Sequence, residues 1–328
     1  MPRASSVVVA VFVLVTVWLS SAVWSSYVIE QALTALSARQ SLFVLQGTRL
    51  EHRAGLFSST GQLELGLNDR CDSSKVARPK SALMVLDYSI DHLLFPTSLM
   101  RFEWALKPYS DKMGASAIGS ILSARGAFLG EGNVSLRGAV STTLTLPEIE
   151  GRGGDYTVRV APSRGLLKIG AESLVFTWDT PHVLVGAAGR AFEAQQWAFE
   201  VNLQDRKRGV GSMTSSMARL STPAGVLQGF RIVAENVAQG ERIDSVFKRS
   251  IQLASFGDHH VSELVFEVTG LDLHAASIEA IGAFLGDLCN SGDMRTDGRA
   301  RMLAAVRTLL MEGFSSGVNG FSGAVGNR

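Results

Sequence analysis

Apolar and polar residues alternate one by one along most of this chain, and the pattern departs from that only at its two ends. The first departure is Val7 to Trp24, VVVAVFVLVTVWLSSAVW, which is apolar apart from one Thr and two Ser and carries no charge. As a helix rising about 1.5 Å per residue it spans roughly 27 Å, close to the hydrocarbon thickness of a bilayer. The run predicts a transmembrane signal anchor over 1–26. Trp18 and Trp24 near its exit end suit the interfacial layer, and Arg3 ahead of it favours a cytoplasmic N-terminus with the bulk of the chain outside. A cleaved signal peptide is the alternative, since Ser20 and Ala22 offer the small residues of a cleavage site. Val28, Ala32, Ala35 and Leu36 then recur at helical spacing, which predicts a short juxtamembrane helix over 27–42.

From residue 43 the period changes to two. Leu63, Leu65 and Leu67 alternate with Gln62, Glu64 and Gly66, so 43–53 and 56–68 read as a hairpin, with Gly55 between its strands expected to hold a positive φ or a tight turn. Asp69 to Lys80, with its charges, serines and Pro79, reads as a loop, as does Glu148 to Asp155 around Gly153-Gly154. Further strands are predicted over 83–90, 99–106, 132–146, 156–160, 166–169, 174–178, 197–203, 226–234, 250–256 and 264–268. Met113 to Ala127 is ambiguous: Ala115, Ile118, Ile121 and Leu122 have helical spacing, but Gly and Ser dilute it. One side of each strand is apolar and the other wet, and no long helical stretch separates them. A curved antiparallel sheet over 43–271 is therefore favoured over βαβ layering.

The second departure is at the C-terminal end. Leu273, Ser277, Ile281, Phe284, Leu285 and Leu288 predict an amphipathic helix, and Met302, Val306, Leu309, Leu310 and Gly313 predict another. The expected fold is thus mainly β with some α: an anchor, a strand-rich domain, a helical region over 272–314 and, from its Gly, Ser and Asn content, a flexible tail over 315–328.

Composition changes this picture little. The formal net charge is +1, and the basic residues are scattered, so neither a nucleic-acid footprint nor an acidic tail is present. Arg206, Lys207 and Arg208 read as a turn. Cys71 and Cys289 belong to no CxxC unit and are either one long-range disulfide or two free thiols. Dinucleotide, Walker, nucleophile-elbow and zinc-protease motifs are absent from the sequence. His259 and His260 beside Asp258 read as a solvated turn or, less simply, metal ligands; His92 beside Asp91 is a general-base candidate of a kind many folds contain. No catalytic, metal or cofactor set is expected.

Arg53, Gly55, Leu56, Phe57, Ser58 and Ser59 form an Arg-x-Gly-Leu-Phe-Ser-Ser unit that opens an alternating strand. Behind a membrane helix and a short helix, this unit resembles the bacterial YdgA/YihF-type proteins, a family of unknown function anchored in the inner membrane and facing the periplasm. A His-Gly-Pro unit often follows there; this chain departs from it with Asp91-His92-Leu93-Leu94-Phe95-Pro96. The resemblance extends over about residues 25–270. It implies an inner-membrane location, a strand-rich fold and a structural role for the unit, and it implies no reaction.

Three functions are compatible with these features. The first is a membrane-anchored periplasmic accessory or scaffold protein of the envelope, without catalysis. The second is binding or transfer of a lipid or other apolar ligand, which requires a continuous apolar concavity. An envelope hydrolase is the third, and would need His, Asp and Ser groups to converge. The partners implied are the inner membrane and a lipid or envelope protein, not nucleic acid; the oligomeric state stays open.

Overall fold

The computed structural model describes residues 41–42, 45–55, 57–67, 84–92, 98–108, 128–153, 156–187, 190–274 and 315–327. These contain strands and turns and no helix. In chain order the strands are β1 (Ser41–Leu42), β2 (Leu45–Ala54), β3 (Ser58–Leu67), β4 (Met84–His92), β5 (Met100–Pro108) and β6 (Phe128–Val134). Then come β7 (Val140–Leu146), β8 (Ile149–Gly153), β9 (Tyr156–Val160), β10 (Ser163–Ile169) and β11 (Leu174–Ala187). The last are β12 (Arg190–Asp205), β13 (Val210–Thr222), β14 (Gly225–Gln239), β15 (Arg242–Phe256), β16 (His259–His274) and β17 (Ser315–Asn327).

All seventeen join one antiparallel sheet. Nearly every strand pairs with its sequence neighbour, as one-sided alternation with short turns dictates. The departure lies in the middle, where β7 pairs β10 and β9 pairs β11. There β7 with β8, and β9 with β10, are the two arms of one long hairpin, each arm broken once. Backbone contacts between the described strands occur chiefly between hydrogen-bonded neighbours, and most described side chains are half-buried or exposed, as in a sheet of a single layer.

The breaks in those two arms belong to a longer feature. Pro147 and Pro162 lie opposite one another where β8–β9 pairing gives way to β7–β10 pairing. Proline has no N–H to give a ladder. Pro181 interrupts β11 at the same level. The same line then continues through Gln196, Ala218, Gly229, Gln252 and Glu263, each at a missing step in its ladder. Gln196 (φ 51°), Gly229 (φ 61°) and Glu263 (φ 55°), on alternate strands, are left-handed. We call this line the seam.

The seam resets the pleat. Side chains on a flat strand share a face at even spacing. Across the seam, Leu227 and Phe230 pack in one cluster with Ile251 and Ala254 and with Val261 and Leu264, all pairs three apart. One left-handed residue on each of β12, β14 and β16 thus keeps the apolar side chains on one side of the sheet across the seam. Polar groups at the seam are satisfied locally: the buried Ser163 hydroxyl donates to the Ala161 carbonyl at 2.8 Å, the Ala161 N–H donates to His182 at 2.8 Å, and the Trp178 indole N–H donates to the buried Thr180 hydroxyl at 2.7 Å.

The antiparallel strand-rich domain agrees with the sequence, with the following corrections. Val210–Thr222, where no strand was expected, is β13, and the strand expected over 132–146 is broken by a turn into β6 and β7. Residues 315–327, expected as a mobile tail, form β17 along β16. The strand domain runs to His274, three residues into the expected helical region. Ser41–Leu42, expected in a helix, is a short strand on β2. Ile149–Gly153, expected in a loop, is β8. The anchor at 7–24, the ambiguous 113–127 and the remainder of the two C-terminal helices lie outside the described residues, as do Cys71 and Cys289.

Candidate functional site

Register aligns one row of side chains across thirteen strands on the apolar side. It reads His52, Gly61, Tyr88, Trp104, Gly130, Leu144, Gly165, Trp178, Phe199, Ser215, Ile232, Arg249 and Phe266, from β2 to β16. At about 4.8 Å between strands the row is roughly 58 Å long. Its order has a steric logic. Tyr88, Trp104 and Trp178 each lie over the glycine paired with them, so that a Cβ on Gly61, Gly130 or Gly165 would strike the neighbouring ring. Aromatic rings laid over strand glycines fill the missing side chain and level the surface.

Those rings also meet one another. Trp104 and Phe128 contact edge to face at 5.3 Å between centroids, Phe128 and Trp178 at 5.7 Å, and Phe176 and Phe199 are tilted at 5.8 Å. Most of these side chains are only half-buried, because among the described residues no second layer lies on them. Beyond the seam, Tyr156, Val185, Phe192 and Phe256 form an exposed apolar rim. The face is thus a long apolar floor, with Tyr88 and the histidines at one end and Arg249 near the other.

The Arg53 to Ser59 unit builds the histidine end. Arg53 and Ala54 close β2, Gly55 and Phe57 make the turn, and Ser58 and Ser59 open β3. Leu56 lies outside the described residues. Ser59 and His92 are 1% and 3% exposed, and the Ser59 hydroxyl is 2.7 Å from His92 Nε2. The His92 N–H donates to the Phe57 carbonyl at 2.7 Å, so the turn is fixed to the end of β4 through both backbone and side chain. One layer along, His52 Nδ1 is 2.8 Å from the Tyr88 hydroxyl and its ring is stacked on Tyr88. His52 Nε2 is buried with no hydrogen-bond partner among the described residues. Burial pushes the Tyr88 hydroxyl up to about 12. Burial also lowers the His92 pKa, with Asp91 opposing and His52 reinforcing the shift.

A Ser–His pair suggests a nucleophile and its base, but a nucleophile must reach a substrate. Ser59 is sealed, and Asp91 alternates to the other side of β4, opposite Ser58. The pair is a lock on the turn. The sequence quoted both halves of this lock, in different motifs, without joining them. Of the two expectations for Gly55, a positive φ or a tight turn, the structure shows the second: its φ is not positive, and a Cβ on it would strike the Ser58 carbonyl. The sharper constraint falls on Gly61, between the Glu51 carbonyl and Tyr88.

Other candidates stay dispersed. His259 and His260 open β16 after a turn at Gly257 and are paired with Phe256 and Ser255. Among the described residues no three His, Cys, Asp or Glu side chains gather as a metal set. Residues 206–209 form a turn, as read. On the polar face, Asp87, Ser89, Glu103, Glu131 and Thr143 line a shallow depression. Its carboxylates are paired, Asp87 with Lys107 at 2.8 Å and Glu103 and Glu131 with Arg101 at 3.2 and 3.9 Å.

The chain matches the family described as a bacterial protein of unknown function, DUF945, over residues 3–316, and belongs to it. This is the family that the Arg53 to Ser59 unit resembles. No curated protein and no solved structure matches the chain.

Proposed function

We propose that this member of the DUF945 family is an envelope accessory protein that holds the acyl chains of lipids along the apolar floor of its sheet. In this reading Val7–Trp24 anchors the chain in the inner membrane and the sheet stands on the periplasmic side. The observation that carries the reading is the row from Tyr88 to Ile232, apolar but for Ser215 and levelled by rings over glycines, with the seam keeping the apolar residues beyond it on the same side. Half-buried rings on this scale are costly in water and call for a cover. An acyl chain covers such a floor without needing hydrogen bonds, and the polar partners of an enzyme site are not required.

The test is extraction of the full-length protein in a mild nonionic detergent, followed by mass spectrometry of co-purifying lipid. Wild type is expected to retain lipid through gel filtration. Phe199→Asp, which sets a charge in the middle of the floor, is expected to lose most of it while keeping the β-sheet circular dichroism of the wild type. Equal lipid in the two proteins, with the variant folded, would defeat the reading.

A further inference from the structure

Arg249 breaks the chemistry of the floor. It lies in β15 between Ile232 of β14 and Phe266 of β16, on the side that carries Phe230. Its guanidinium stands 5.1 Å from the centre of the Phe230 ring. The residues two places along β15 on either side, Phe247 and Ile251, are apolar, and so are Ala234 and Val268 beside Phe247, and Leu264 beside Ile251. The nearby acid–base pair, Lys248 with Glu267 at 3.7 Å, belongs to the polar face. Among the described residues no carboxylate pairs with Arg249. Elsewhere the charged side chains of these strands point to the wet side, so this one cation lacks the usual reason for its place.

Resting on the acyl-chain reading above, we propose that Arg249 is a headgroup site. It takes the anionic headgroup of an acyl lipid, a carboxylate or a phosphate, whose chain runs across β14 to β10 over Ile232, Ser215, Phe199 and Trp178. The planar fork of a guanidinium matches either anion through two parallel N–H donors. Stacking on Phe230 holds the fork in place and leaves one of its faces and its edge open. From β15 to β7 the floor runs roughly 29 Å at the spacing of strands, about twice the thickness of one leaflet of bilayer hydrocarbon. A single chain therefore lies within it whole. The charge complementarity and the length together select an anionic amphiphile over a free anion.

Photo-crosslinking tests this directly. The full-length protein in nonionic detergent is labelled with a diazirine-bearing palmitic acid or with its methyl ester, and labelled peptides are mapped by mass spectrometry. The acid is expected to label β12–β15 about tenfold more than the ester, as a charge-assisted hydrogen bond allows. Arg249→Gln should remove that preference and leave ester labelling unchanged; Arg249→Lys should retain most of it. Inorganic phosphate should not compete. Retained acid preference in Arg249→Gln, or competition by phosphate, would overturn the headgroup site while leaving the acyl-chain reading standing on the ester signal. Absence of both probes from the floor of the wild type would overturn both.

Discussion

At the scale of the residue, the Ser59–His92 lock makes the sharpest predictions. Ser59→Ala removes a partner from a buried ring nitrogen and should cost about 1–3 kcal/mol. The measurement is the urea midpoint, and a change within error would show the lock to be dispensable. His92 also ties stability to pH. Burial lowers its pKa in the folded state, so below about 6.5 the unfolded chain binds a proton that the folded chain resists. The contribution is present above that value and is lost as pH falls toward the folded pKa. Melting temperature should therefore fall between pH 7.5 and 5 more steeply in wild type than in His92→Gln; parallel profiles would remove His92 as the cause. Glycine space gives the third prediction. Gly61→Ala should cost about 1–3 kcal/mol through overpacking against Tyr88 and the Glu51 carbonyl. Gly55→Ala, which meets the Ser58 carbonyl but no ring, should cost less by the same urea measurement, and the reverse order would show that the turn, not the ring, sets the constraint.

At the scale of the element, alternation located most of the strands but not β8, β13 or β17, and it missed the lengths of others. Alternation located β11 at 174–178 and β12 at 197–203, but they run to Ala187 and from Arg190. Each reading stopped at the seam, because a shift of the pleat by one residue imitates the end of a strand. Leu227 and Phe230 are three apart, a spacing that a flat strand with one apolar face does not produce. The left-handed residues responsible, Gln196 and Glu263, are types with no special preference for that backbone, so composition gave no signal. This suggests a direct test. A side chain in the left-handed region costs about 1–2 kcal/mol, and glycine there costs chain entropy instead. Gln196→Gly and Glu263→Gly should each raise stability by about 0.5–1 kcal/mol, whereas Gly229→Val at φ 61° should lower it by more than either gain. A destabilising Gln196→Gly, seen in the thermal midpoint, would mean that its side chain and not its backbone shapes the seam.

At the scale of the whole molecule, what the sequence hides is lateral. Ser59 and His92 are 33 residues apart, and Trp178 meets Phe128 fifty residues away in a row assembled from separate strands. Alternation says which side of a strand is apolar; it does not say which residue of one strand stands beside which of the next. Arg249 lay outside the strand expected over 250–256, and its place between Phe247 and Ile251 takes its meaning only from its neighbours in β14 and β16. The C-terminal stretch shows the same limit from the other direction, since glycines that suggested a mobile tail become ordered by pairing with β16. The lateral construction also sets how the sheet should come apart. Each described strand is held mainly by its two hydrogen-bonded neighbours, as the units of a repeat protein are, so stability should be close to a sum of local terms. Damage at one end should then stay there. In native-state hydrogen exchange, Gly61→Ala is expected to lower protection in β2–β5 and leave β12–β15 at wild-type values, and Gly229→Val should do the opposite. If either variant lowers protection uniformly from β2 to β16, the sheet unfolds as one cooperative unit, and an additional contact outside the ladder must couple its ends.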